Sequence, residues 1–433
     1  MLMEVLQIFR GALSKKWQLK LLPILSWLWT LYFALTFTIG RIPDYTLIVI
    51  WGGLVIPVVL TMVLYLRHKP RLPREAYLIA GILLWSLPWI FFIESPLFWA
   101  FARALAQYVV LVVLVTTVIR YGGRLEILFW AMLVIGVYNA LSIEYTTQNI
   151  TGDLLTQGRA KGVSELSSNT LAALTQMGVF GALGLLGMPQ SEGRFRLGPK
   201  VALLIGGMAI SLFGLVASGG RGAFLAVLSY LVLWPTMCLR ERIKNWWALL
   251  AVSLVIVIGL LTVIPWLLEN TFLGQRFVKV GYAEDNSANF RLELIQIGLQ
   301  LGLDNPIFGV GLGQFGSASG TGFYAHNEFV ELFATTGFVG VTLYVLVYYT
   351  CWRRLSLVLR LNQEISARYW SNVARMGLLA MFMSGLTNRP NFLSEDSMFL
   401  MSFFIGIGLF FSKQNIRSAT KTIPLTFRRR CPQ

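Results

Sequence analysis

Apolar residues run through the chain in blocks of about 20, separated by short segments that hold most of the charged residues. A block of this length crosses a bilayer as one α-helix. The pattern predicts an all-α polytopic membrane protein of about 12 transmembrane helices, folded as one integral membrane domain over residues 1–433. The predicted helices cover residues 20–38, 46–66, 77–93, 97–119, 126–146, 168–188, 200–217, 222–239, 246–268, 329–352, 372–388 and 397–412.

The charged loops predict how these helices are oriented. An even number of helices puts both termini on one side, and the loops of that side contain most of the 36 Lys and Arg residues. Positively charged loops stay in the cytoplasm. Both termini, including a basic tail over residues 413–433, are therefore expected to be cytoplasmic. The net charge of +16 follows from this topology and does not indicate nucleic-acid binding.

Composition narrows the class of protein further. Hydrophobic residues make up 56% of the chain and charged residues 13%, whereas a soluble domain has about 25% charged residues. The three cysteines show no CxxC or Cys/His spacing, which argues against a metal site or a disulfide framework. No cofactor and no bound metal are predicted.

One external segment is much longer than a simple connection. Residues 269–328 form the single large external loop, and loops of this length are usually functional. Within it, residues 288–303 carry Leu292, Ile295, Leu299 and Leu303 at helical spacing. They predict an amphipathic helix on or near the membrane surface, capped by Ser287 or Asn289.

The end of this loop combines a helix break, three glycines and a rare histidine. Asn305-Pro306 interrupts the preceding helix, and Gly309, Gly311 and Gly313 allow a tight turn. His326 follows, one of only two histidines in the chain.

The residues around His326 leave two interpretations open. A lone histidine is often structural. At the membrane face, a neutral imidazole can instead take a proton from a hydroxyl nucleophile. Glu328 and Glu331 are close enough along the next helix to orient the ring or to raise its pKa.

Few basic residues fall on the external side, so each is informative, and two of them are candidate anion ligands. Arg221 stands in the sequence SGGRGAF, and Arg291 begins the predicted amphipathic helix. The planar guanidinium suits two-point contact with phosphate oxygens. The alternatives for Arg221 are interfacial snorkelling or pairing with a carboxylate, and the alternative for Arg291 is a salt bridge to Glu293 or Glu284.

These pieces together resemble a known family. GVGLGQF, then His326-Asn327 followed by ELFATTGFVG, is similar to the O-antigen ligase and O-antigen polymerase superfamily. SGGRGAF around Arg221 and GRAKGVSELSSNTLAAL at residues 158–174 extend the likeness. It covers residues 150–410.

The resemblance implies a membrane glycosyltransferase on the periplasmic side of the bacterial inner membrane. It implies transfer of a glycan from an undecaprenyl diphosphate carrier to a hydroxyl of a lipid, glycan or protein acceptor, with inversion and without a metal. Arg221 and Arg291 match the arginines that hold the diphosphate, and His326 matches the histidine that activates or orients the hydroxyl. Gly309, Gly311 and Gly313 would turn over the carrier.

Four further residues are possible accessories of this site. Asn327, Glu328 and Glu331 follow the histidine directly, and Arg389 in TNRPNF faces the same side, where it could bind an anion or a sugar. Arg389 departs from the pattern of the family.

Two questions stay open from the sequence. Within the superfamily, a ligase and a polymerase are not separated, and the glycan, the acceptor and the oligomeric state are not specified. The second open question is whether the protein is a glycosyltransferase at all; the alternative function is transport of a small anion such as bicarbonate. Transporters are typically built with inverted repeats and interrupted helices.

Overall fold

The computed structural model describes residues 15–38, 53–93, 95–121, 124–144, 161–162, 167–188, 198–241, 243, 245–281, 286–386 and 395–422. These residues are helical apart from turns and one antiparallel pair of two-residue strands, β1 (Ile143–Glu144) and β2 (Lys161–Gly162). The helices are α1 (Lys15–Thr36), α2 (Leu54–His68), α3 (Arg74–Ser86), α4 (Pro96–Arg120), α5 (Leu125–Leu141), α6 (Ser168–Leu186), α7 (Pro199–Ser218), α8 (Arg221–Met237), α9 (Trp246–Asn270), α10 (Phe272–Gly281), α11 (Asn286–Asp304), α12 (Phe315–Ala318), α13 (Glu328–Leu361), α14 (Ile365–Gly385) and α15 (Glu395–Thr422). Two 3₁₀-helices span Leu87–Phe91 and Leu239–Glu241.

Each predicted transmembrane helix overlaps one of these helices, and the helical class is confirmed. In the part of the chain that the structure describes, α4, α6, α7, α9 and α13 are long and apolar enough to cross a membrane. Shorter apolar helices lie within α1, α2, α5, α8 and α15. The protein is therefore a multi-pass membrane protein. The number of about 12 spans, the cytoplasmic termini and the periplasmic position of the long loop stay predictions.

Several helix ends follow directly from local sequence. Ser95, Ser167 and Asn245 each accept a hydrogen bond from a backbone N–H in the first turn of α4, α6 and α9. Such side chains satisfy N–H groups that have no helical acceptor. At the other end, α3 stops at Ser86 because Pro88 cannot donate a helical hydrogen bond, and the chain continues as 3₁₀-helix.

Small residues bring the central helices together. A Cβ added to Gly178 of α6 would lie 2.8 Å from the Cα of Gly136 in α5, so the two backbones are in direct contact there. Close approach at small residues is how membrane helices gain packing energy without a hydrophobic effect between them. In contrast, none of the side chains of α9 is buried within the protein, which suits a helix surrounded by lipid.

Helix α13 is broken near its start. Gly337 has φ 67° and ψ −167°, so residues 328–336 (the half-helix) and residues 338–361 are two helices at an angle. The Tyr344 hydroxyl donates to the Glu328 carboxylate at 3.3 Å although sixteen residues separate them, a separation of about 24 Å in a straight helix. The prediction of one continuous helix over 329–352 is wrong at this point.

The long loop holds more structure than predicted. The helix expected over 288–303 is confirmed as α11, but it begins at Asn286, so neither Ser287 nor Asn289 is its cap. Gly298 and Gly302 of α11 pack against Val330 and Phe333 of the half-helix. Of the predicted stripe, Leu292, Leu299 and Leu303 are exposed, whereas Ile295 packs against the buried cluster around Leu294. Its contact with the membrane surface stays a prediction.

Two boundaries differ from the sequence-based expectation. Helix α10, which the hydropathy pattern does not predict, precedes α11 in the loop. Helix α15 continues to Thr422 and so includes the first part of the tail predicted over residues 413–433.

Candidate functional site

His326 lies in a tight turn at the start of the half-helix. Its backbone is left-handed, with φ 55°, a conformation that His and Asn adopt more readily than most other residues. The next residue, Asn327, caps the half-helix: its Oδ1 accepts from the N–H groups of Phe329 and Val330, at 3.1 Å each. Its Nδ2 donates to the carbonyl of Leu386 at the end of α14. The turn is thus fixed to a second helix.

Two more side chains hold this turn. Glu331 is buried, and its Oε2 accepts a 2.6 Å hydrogen bond from the N–H of Ala325, the residue before His326. The Tyr324 ring lies against the imidazole, with 4.2 Å between ring centroids. The sequence analysis missed Tyr324, although its place two residues before the histidine was a usable signal.

The imidazole of His326 is neutral at physiological pH. Burial, and then the positive charge of Arg291, lower its pKa from 6.5 to about 4. Among the described residues, its buried Nδ1 atom has no hydrogen-bond partner. The ring can therefore accept a proton, and the structure brings Arg291 close enough to act on it electrostatically.

The expectation that Glu328 and Glu331 raise the pKa of His326 is wrong. Glu331 bonds to backbone instead, and Glu328 points into the protein interior. The Glu328 carboxylate is fully buried, accepts from the Tyr344 and Tyr348 hydroxyls at 3.3 and 3.2 Å, and packs against Gly385. Glu328 thus joins the half-helix to the rest of α13 and to α14.

Arg221 forms a reciprocal arrangement with a second arginine. Gly219 ends α7 in the left-handed region, with φ 64°, and Arg221 opens α8 two residues later. The Arg221 Nη1 donates to the carbonyl of Arg276 at 3.2 Å, and the Arg276 Nη1 donates to the carbonyl of Gly219 at 2.8 Å. Both arginines are half-buried. Arg276, on the unpredicted α10, is a second residue that the sequence analysis missed.

The family model of O-antigen ligase matches residues 206–345. This segment is therefore similar to the O-antigen ligase family. The family implies a membrane glycosyltransferase of the O-antigen ligase or polymerase type, acting on a lipid-linked glycan. No curated protein matches the chain.

The O-antigen ligase segment contains most of the candidate site. Arg221, Arg276, Arg291 and His326 all lie within it, as do Asn327, Glu328 and Glu331. Arg389 lies outside the segment and outside the described residues, so its part in the site stays a prediction.

The structure unites these residues only in part. Helix α11, which carries Arg291, packs on the half-helix, and the charge of Arg291 acts on His326. Arg221 instead stands with Arg276 at the junction of α7, α8 and α10. The predicted topology puts Arg221, at the start of α8, and His326, just before α13, on the same side of the membrane. A shared site for all three stays a prediction.

The loop glycines of the O-antigen ligase segment do form tight turns. Gly309, Gly311 and Gly313 have φ values of 69°, 105° and 77°, which favour glycine. The space beside them is filled by the chain itself: Thr335 and Thr336 beside Gly309, Ile93 and Trp89 beside Gly311, and Leu97 beside Gly313. Glycine is therefore required here by its positive φ and by packing against helices, and the turn over the carrier stays a prediction.

Proposed function

We propose that the protein transfers a glycan from an undecaprenyl diphosphate carrier to a hydroxyl acceptor at the periplasmic face of the inner membrane. The observation that carries this proposal is the packing of α11, which carries Arg291, against the half-helix that His326 precedes. The charge of Arg291 acts on the imidazole of His326, which is neutral. A proton acceptor next to an anion ligand is what an attacking hydroxyl and a departing diphosphate require.

The step has a simple balance of bonds. The acceptor oxygen attacks the anomeric carbon from the face opposite the diphosphate, and that carbon's bond to the phosphate oxygen breaks with its electron pair leaving on the diphosphate. The configuration therefore inverts. The hydroxyl proton passes to His326, while Arg291 and Arg221 stabilise the charge that develops on the diphosphate. These guanidinium groups supply the positive charge, so the proposed reaction uses no metal.

Donor binding also prepares His326 for its role. Part of the low pKa of His326 comes from the charge of Arg291. When phosphate oxygens neutralise that charge, the pKa of His326 rises and the imidazole becomes a better base. The base is then strongest when the donor is in place. Glu331 and Asn327 hold the turn, and Tyr324 limits rotation of the imidazole.

Transfer by purified protein in lipid nanodiscs, with a carrier-linked glycan and its acceptor, tests the proposal. His326→Ala is expected to abolish transfer, and Arg291→Lys to reduce it severely because lysine loses two-point contact. The chain offers a matched control in its other histidine: His68→Ala is expected to transfer normally. Normal transfer by His326→Ala would remove His326 from the chemistry. The anomeric configuration of the product, read by NMR, tests inversion.

The polysaccharide of a deletion strain separates the two types of transferase. If the deleted protein is a polymerase, the strain attaches only a single repeat unit to the acceptor. If it is a ligase, the strain accumulates polymer that is not attached. The acceptor that rescues transfer in nanodiscs then identifies a lipid, glycan or protein hydroxyl.

A small-anion transporter is the second candidate, and one observation favours it. The break of α13 at Gly337 is an interrupted helix of the kind that transporters use to bind ions at membrane depth. Proteoliposomes loaded with a pH-sensitive dye test it: bicarbonate flux that requires Arg291, with no glycan transfer by the same preparation, would favour transport.

A further inference from the structure

The break at Gly337 leaves the last carbonyl groups of the half-helix without helical donors. Two of them are satisfied by residues 306–313, which we call the glycine loop. The N–H of Val310 donates to the carbonyl of Ala334 at 2.8 Å, and the N–H of Gly311 donates to the carbonyl of Thr335 at 3.0 Å. The end of the half-helix and the glycine loop therefore form one hydrogen-bonded unit.

The third carbonyl is satisfied from a distant part of the chain. The indole N–H of Trp85, in α3, donates to the carbonyl of Thr336 at 3.2 Å. The Trp85 ring also stacks on Phe308, with 4.6 Å between centroids and 3° between ring planes. Trp89 donates from its indole to the carbonyl of Phe308 at 3.2 Å. Trp85 thus holds the end of the half-helix, and Trp89 holds the glycine loop.

Tryptophan is suited to this position for a physical reason. Its flat ring packs on apolar neighbours while its single N–H reaches one carbonyl. The loss of a donor is costly at the carbonyl of Thr336, a buried residue, and less so at the exposed bond from Trp89 to Phe308. Both tryptophans precede the O-antigen ligase segment of residues 206–345. The segment that carries the candidate site is therefore completed by residues outside it.

We propose that Trp85 and Trp89 are positioning residues for the transfer reaction, an inference that rests on the function proposed above. They fix the carboxyl end of the half-helix, and His326 lies in the turn at its amino end. Because a helix moves as a rigid rod, a shift at Thr336 displaces the imidazole relative to Arg291. Small displacements of this kind lower the rate of a reaction that depends on alignment.

The variants Trp85→Phe and Trp89→Phe test the proposal, because phenylalanine keeps an aromatic ring and removes only the N–H. Each is expected to lower kcat about tenfold while the KM for the donor stays within about twofold, since the arginines are not changed. The two effects should not be additive, because both residues hold one unit. The matched control is Trp99→Phe: Trp99 is 56% exposed at the start of α4 and packs edge-on against Phe98.

A measurement without substrate separates this inference from the proposed function. Hydrogen exchange in nanodiscs should become faster in residues 306–312 and 328–338 of Trp85→Phe, with no change in α5 and α6. Faster local exchange with unchanged kcat in an active preparation would overturn the positioning role and leave the transferase standing. Unchanged exchange would also overturn it. Faster exchange in a protein that never transfers a glycan would instead count against the proposed function.

Discussion

Glu328 accepts a hydrogen bond from the Tyr344 hydroxyl at 3.3 Å, although the two residues belong to what hydropathy predicts as one helix. The contact exists because the chain changes direction at Gly337. The bend puts the amino end of the half-helix, which His326 precedes, beside the rest of α13 and the end of α14. A buried carboxylate that is bonded by two tyrosines then holds the bend in place.

Gly337→Ala should destabilise the fold. The backbone values of Gly337 lie in a region that only glycine adopts readily, and a Cβ there would run into the carbonyls of Ile307 and Pro306. We expect a loss of about 3 kcal/mol or more, seen as a lower Tm in detergent. Gly206→Ala is the control, because its Cβ would meet nothing within 4 Å, and an unchanged Tm for Gly337→Ala would contradict the bend.

The pKa of His326 can be measured directly. The protein has two histidines, so a His68→Gln variant with ¹³C-labelled histidine gives one imidazole signal, which should titrate near pH 4. The unfolded chain takes up this proton near 6.5 and the folded protein near 4. Stability from this group is therefore complete above pH 6.5 and decreases as the pH falls toward 4.

The charge of Arg291 gives this titration a second test. Arg291→Gln removes one of the two causes of the low pKa, so the midpoint of His326 should move up toward 6.5 while burial keeps it below that value. A midpoint that does not move would show that Arg291 lies too far from His326 to share a site with it.

Glu331→Ala should weaken the turn that carries His326. It leaves the buried N–H of Ala325 without its 2.6 Å acceptor, which costs about 1–3 kcal/mol. We expect a lower Tm together with a fall in kcat, and a smaller fall in Glu331→Gln, which keeps an acceptor oxygen. Glu364→Ala, at an exposed position, serves as the control. Equal activity of Glu331→Ala and wild type would remove Glu331 from the site.

Arg276→Ala should weaken the site through Arg221. It removes the donor to the Gly219 carbonyl but leaves the Arg276 carbonyl that Arg221 itself uses. We expect the KM for the carrier-linked glycan to rise about tenfold, which corresponds to about 1.4 kcal/mol of binding free energy. Combined with Arg221→Ala, the effect should be less than additive. Exposed Arg353 supplies the control variant, Arg353→Ala, and full additivity would show that the two arginines act separately.

Much of the site could be read from residue types alone. Histidine and arginine are informative in a membrane protein because each is uncommon or costly there, so His326 and Arg221 stood out. The loop glycines stood out because they cluster just before His326. Arg276 did not, because its importance depends on neighbours that are distant in the chain. Tyr324 was missed although it stands two residues before His326. The predicted direction of the pKa shift of His326 was wrong for a similar reason. The distance along the sequence to Glu328 and Glu331 does not tell where their carboxylates point.

The sequence by itself determined the helical membrane class, the approximate position of every predicted helix, and the stretch in which the chemistry is expected. It could do so because hydropathy and helix-breaking residues act locally, over one or two turns. Only the tertiary structure decided that α13 is broken at Gly337, that Glu328 faces the interior, and that Trp85 completes the end of the half-helix. These features join residues up to 251 positions apart. Their energies come from pairing buried polar groups, and no local pattern specifies which distant partner will meet them.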